Sequence, residues 1–225
     1  MAIQDKKHWS TKSEAARDEV KDAVEEAFTW VFFTHRRQAA LSLGGVAAVA
    51  LLGGLLLYSR QAKAASAWDK LSRAEAAAYS GRPQDAQTLL AEVSSEGGSR
   101  GASTLAHMLD GDILYTKYAA YDKALAAYDQ AVQEAPEALR PFAVAEKVMA
   151  LEAAGKTADC AAAAQSFLDG HADHLLTAQV HAALARCQSA LGQADAAKAT
   201  LQRISLQYPN TSWAAWASSR LQAPH

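Results

Sequence analysis

From Gln38 to Ser59 the chain carries no charged residue. The run Ala39–Tyr58 is twenty residues long, and Ser42 is its only polar side chain before Tyr58. At about 1.5 Å rise per residue a helix of that length matches the hydrocarbon thickness of a bilayer, about 30 Å. A soluble core helix of that length would show a polar face, and none is seen. Arg36 and Arg37 precede the run, Tyr58 ends it, and Arg60 and Lys63 follow it, as suits the two interfaces. The pattern predicts a retained transmembrane helix. A cleaved export signal is the alternative, since Ala62-Lys63-Ala64 is a small-x-small motif. Against it, a long stretch rich in acids precedes the apolar run.

Before the membrane run, Ser10 and Ser13 open a helical pattern. Val20, Val24, Ala27 and Val31 then recur at three-to-four spacing. Phe28, Trp30, Phe32 and Phe33 make its end aromatic. An amphipathic helix is expected there, lying at the headgroup layer or against a membrane partner.

After the membrane run the apolar positions follow helical spacing, with no sustained alternation of apolar and polar residues. Four segments align. Gly81, Ala119, Gly155 and Gly192 fall in register as turn residues. Five residues on comes a small side chain each time: Ala86, Ala124, Cys160 and Ala197. One turn further come Leu90, Tyr128, Ala164 and Leu201. A tight turn followed by a small contact residue describes two packed antiparallel helices, and hairpins of this kind bury their apolar faces by stacking. After Pro209, Asn210-Thr211-Ser212 opens a last helix in which Trp213 and Trp216 share a face, suited to cover the end of the stack.

These units resemble the tetratricopeptide repeat. Residues 105–138 carry the resemblance best, through Tyr115, Tyr121, Ala124, Tyr128, Ala131 and Pro136. Met108 stands where the family has tryptophan, and Asp112 where it usually has glycine, with Gly111 beside it. The expected fold is therefore all-α. It comprises a tail with an amphipathic helix (1–37), a transmembrane helix (38–59), and a tetratricopeptide-like α-solenoid of about four hairpins with a capping helix (60–225). In that family the first helix of each hairpin lines a concave groove. The resemblance thus implies that Trp68, Leu71, Tyr79, Leu109, Ile113, Phe142, Met149 and Arg186 lie near a protein-binding groove.

Composition narrows the function classes. The formal net charge is −2, evenly spread, and no basic stripe offers a footprint for nucleic acid. Alanine makes up roughly a quarter of the chain, which favours helix. Ala154-Gly155-Lys156-Thr157 contains the end of a phosphate-loop motif, but Ala150 stands where its first glycine would be. His171 and His174 share a loop with Asp169 and Asp173, a weak metal signal and an ordinary polar loop. No catalytic arrangement, cofactor motif or small-molecule site stands out, so no enzyme is expected. Cys160 and Cys187 fall at similar heights on neighbouring helices. They are equally consistent with a disulfide or with two buried thiols.

The whole arrangement resembles the YfgM-like family of ancillary Sec translocon subunits. These are bacterial inner-membrane proteins with a short cytoplasmic tail, one membrane helix and a periplasmic repeat domain. The resemblance implies protein partners: a translocon, membrane-anchored chaperones and exported clients. Flanking charges alone do not orient the helix, with Lys21, Arg36 and Arg37 on one side and Arg60, Lys63, Lys70 and Arg73 on the other. The resemblance and a disulfide would both favour an exported C-terminal domain. A structural scaffold in a secretion or motility assembly is the alternative function. A soluble binding protein released after Ala64 is the third.

Overall fold

The structure is a computed structural model that describes residues 19–30 and 36–222. The expected capping residues Ser10 and Ser13, together with Val31, Phe32 and Phe33, lie outside the described residues. All ten elements among the described residues are helices. The chain divides into two compact units, Met1–Ser59 and Arg60–His225.

In the first unit, α1 covers 19–29, and Val20, Val24 and Phe28 are exposed on it. Helix α2 runs as Arg36–Tyr79. Its most apolar 18-residue window has a mean hydropathy of 2.2 with none of it buried, so it is long and apolar enough to cross a membrane. The stretch Ala62–Trp68 that follows the apolar run is helical throughout. Neither proline nor glycine interrupts that stretch, and alanine fills most of it.

The second unit continues with α3 (Pro83–Glu96), α4 (Arg100–Thr116), α5 (Tyr121–Glu134) and α6 (Arg140–Ala153). Then come α7 (Thr157–Gly170), α8 (Thr177–Ala190), α9 (Ala194–Gln207) and α10 (Ser212–Gln222). From α3 to α10 each helix packs on the next, and α4 also touches α6, α6 touches α8, and α8 touches α10.

The turns have a common cause. Gly81, Gly155 and Gly192 all take positive φ, between 72° and 74°. After each, the next amide reaches back five residues: Arg82 N to Ala77 O, Lys156 N to Leu151 O and Gln193 N to Gln188 O, all at 2.9 Å. That is the left-handed glycine cap that ends a helix and reverses the chain. The second turn is one residue longer. There Ala119 adopts φ 48°, and Ala120 N donates to Leu114 O.

The breaker-rich stretch Ser94–Gly101 reads as a long loop in the sequence, yet only 97–99 are non-helical. Gly97 caps α3 in the left-handed region, and the Ser99 side chain accepts from Ala102 N to start α4. Gly98 passes so close to α2 that a Cβ there would lie 2.4 Å from the Lys63 carbonyl oxygen.

The core comes in three clusters along the unit. Ala67, Leu71, Ala74, Leu90, Val93 and Ile113 form the first. Tyr128, Val148, Phe167, Val180 and Cys187 belong to the second. Leu201, Ile204 and Ala217 form the third, with Trp213 and Trp216 against it. The register positions Ala86, Ala124 and Cys160 are fully buried where the paired helices meet. A disulfide joins Cys160 on α7 to Cys187 on α8.

Candidate functional site

A cleft of about 550 Å³ opens where α4, α6 and α8 come together, with α5 behind it. Helix α4 contributes Asp112, Tyr115 and Thr116. Helix α6 contributes Glu146, Met149, Glu152 and Ala153, which with Phe142 recur at three-to-four spacing down one stripe. Helix α8 adds Gln179 and Arg186, seven residues and about two turns apart. Tyr128 reaches in from α5.

Polar contacts fix four of these side chains, Asp112, Tyr128, Glu152 and Arg186. The Tyr128 hydroxyl donates to Asp112 Oδ1 at 2.7 Å. Arg186 engages Glu152 with two nitrogens, Nη2 donating to Oε2 at 2.8 Å and Nε to Oε1. The same guanidinium lies 5.7 Å from the centre of the Trp216 ring. Tyr115 meets Tyr121 edge-on with ring centres 5.3 Å apart.

Burial sets the electrostatics. It pushes the Asp112 carboxyl above its ordinary value, while the Tyr128 hydroxyl works in the other direction. Burial also pushes Glu146 up, and the neighbouring Asp112 charge adds to the effect. Tyr128 is pushed up by burial and by its bond to Asp112, so it stays a neutral donor. This wall therefore holds carboxylates in a medium that solvates them poorly.

The residues that the family resemblance would place near a groove lie in different surroundings. Met149 and Arg186 line the cleft. Phe142 lies on the same stripe of α6, partly buried, with its ring edge-on to His174 at 4.9 Å. Leu71 and Ile113 are core residues, 2% and 4% exposed, and present no surface to a partner. Leu109 packs partly buried against the same cluster. Trp68 is half-exposed and lies over Gly101, and Tyr79 projects from the end of α2, almost fully exposed. Sequence reasoning missed Asp112 as a wall residue, and Glu146, Glu152 and Gln179 altogether. A signal for Glu146 was present: it interrupts the Phe142–Met149–Ala153 stripe in a helix whose other positions are mostly apolar.

The remaining motifs resolve into structure. Gly155 is a helix-capping turn, and Lys156 pairs with Asp122 at 2.9 Å. His171 and His174 both pack around Phe167, and His174 Nδ1 accepts from Leu176 N. Among the described residues no group of three or more His, Cys, Asp or Glu is placed to hold a metal ion. No protein-family model matches the chain, and a search of curated proteins finds no match to it.

Proposed function

We propose that the chain is a single-pass membrane protein that presents a tetratricopeptide-like stack of helical hairpins as a protein-binding surface. It would act as an adaptor or co-chaperone rather than as an enzyme. The observation that carries this reading is the cleft itself. Three alternate helices, α4, α6 and α8, touch in series and wall one open surface with mixed aromatic, polar and charged side chains. Such a surface suits an extended or partly folded polypeptide. The repeating turns at Gly81, Ala119, Gly155 and Gly192 support the stacked-hairpin reading.

The apolar part of α2 would anchor this stack at a bacterial inner membrane. A disulfide between Cys160 and Cys187 suits an oxidising compartment, which favours a periplasmic C-terminal domain and a cytoplasmic N-terminus. The sequence resemblance to ancillary Sec translocon subunits then suggests exported proteins as clients and the translocon and periplasmic chaperones as neighbours.

Two measurements test the proposal. Protease added to intact spheroplasts should digest the C-terminal domain; protection until lysis would reverse the orientation. A photo-crosslinker at Met149 or Phe142 should capture many exported polypeptides in cells. Capture of one stoichiometric partner instead would favour a scaffold subunit of a secretion or motility assembly.

A further inference from the structure

The cleft holds more negative charge than its own residues neutralise. Three carboxylates, Asp112, Glu146 and Glu152, face one guanidinium, Arg186. Arg186 is already engaged by Glu152 through two nitrogens. Asp112 receives a hydrogen bond from Tyr128, but a neutral donor leaves its charge in place. Glu146 has neither an ion pair nor a hydrogen bond among the described residues, although it is partly buried and feels the Asp112 charge. Beside it stand Met149 and Tyr115, an aliphatic and an aromatic wall. A lysine or arginine side chain combines a charged head with an apolar stem, and it matches both features.

We infer that this cleft takes an extended polypeptide segment by one lysine or arginine side chain, with Glu146 as ion-pair partner and Met149 and Tyr115 against the stem. The inference rests on the protein-interaction reading above and narrows it to basic segments. Charge complementarity selects the occupant: the surplus on the wall is negative, so an acidic or neutral segment leaves Glu146 unpaired. A metal ion is the poorer match, because among the described residues no group of three or more ligating side chains is gathered.

The test uses the full chain in lipid nanodiscs and two short fluorescein-labelled peptides of Ser, Ala and Gly. One has a central lysine, and its twin has glutamine there. Fluorescence anisotropy at low salt should show the lysine peptide binding about tenfold more tightly. Glu146→Gln should remove about that same factor. Its melting temperature should not fall, since the substitution keeps the shape and removes a poorly solvated charge. Asp85→Asn on α3, which breaks an exposed pair with Arg82, should leave peptide binding unchanged. Equal binding of the two peptides, or no effect of Glu146→Gln, overturns the inference. So does competition by free butylamine as effective, mole for mole, as the lysine peptide, because the site would then take small cations. Equal peptide binding alongside crosslinking of exported chains at Met149 removes only the preference for basic segments. Absence of any crosslinked polypeptide removes the interaction reading itself.

Discussion

The Tyr128 hydroxyl donates to Asp112 Oδ1 at 2.7 Å while the ring of the same tyrosine lies directly on Gly111. A Cβ at residue 111 would fall 2.5 Å from Tyr128 Cε1. Neighbouring residues on α4 thus set the height and the angle of one buried ring, which is 1% exposed. Gly111→Ala should cost about 1–3 kcal/mol, since the ring has little room to retreat in a packed core. Tyr128→Phe keeps the ring but leaves Asp112 without its donor, at about 1–3 kcal/mol. Urea unfolding of the full chain in detergent, followed by helical circular dichroism, measures both. A Gly111→Ala variant as stable as the parent would show that the contact is soft.

The acid response has two opposing parts. Asp112 and Glu146 have folded pKa values raised above 3.8 and 4.5 by burial, so the folded state holds their protons longer than the unfolded state does. Their contribution is fully present below the unfolded values and is lost as pH rises through the raised ones. His181 behaves in the opposite sense. Burial lowers it from 6.5, although its Nδ1 lies 3.0 Å from the Thr177 carbonyl. Its contribution is present above pH 6.5 and is lost as pH falls through the lowered value. Stability measured across this range should therefore fall less toward alkaline pH in Glu146→Gln, and less toward acid pH in His181→Gln. If neither variant changes the slope on its own side, these groups do not control the pH dependence.

Much of the architecture is written in short-range signals, and the cleft is not. Three of the four register positions are glycines because a helix cap at positive φ favours glycine, so the turns could be read directly. The buried small residues at Ala86, Ala124 and Cys160 follow from their fixed distance to those turns. The groove residues depended on which way each helix is rotated. On α4 the reading was one residue out: Ile113 faces the core while Asp112 faces the cleft. One residue is about 100° around a helix, enough to exchange core for surface. On α6 the apolar stripe and the cleft stripe coincide, and Met149 belongs to both. The meeting of Asp112 with Glu146 could not be read at all, because it depends on how α4 and α6 pack.

Ala119 is the exception among the four turns. It holds φ 48° with a Cβ, a conformation that favours glycine. Ala119→Gly should stabilise the domain by about 0.5–1 kcal/mol, the relief of backbone strain being partly offset by the greater freedom of glycine when unfolded. Gly155→Ala, at φ 72°, should destabilise by about 1 kcal/mol for the same reason. Both are read as shifts in thermal midpoint. A lower midpoint for Ala119→Gly would mean that the longer second turn, with Ala120 N bonded to Leu114 O, favours alanine.

The disulfide between Cys160 and Cys187 ties α7 to α8 across 27 residues of sequence, and both cysteines are buried. Closing a loop of that size in the unfolded chain is worth about 3–4 kcal/mol on the chain-entropy account. The double substitution Cys160→Ala, Cys187→Ala should lower stability by about that amount or somewhat more, because each alanine also leaves a small void. Full reduction of the parent protein should reproduce most of the loss. The same pair reports on compartment. Chains taken from cells, denatured without reductant and treated with a maleimide should show no free thiol if the domain lies in an oxidising space. Labelling of both cysteines under those conditions would place the domain in a reducing compartment, and the periplasmic orientation would fall with it.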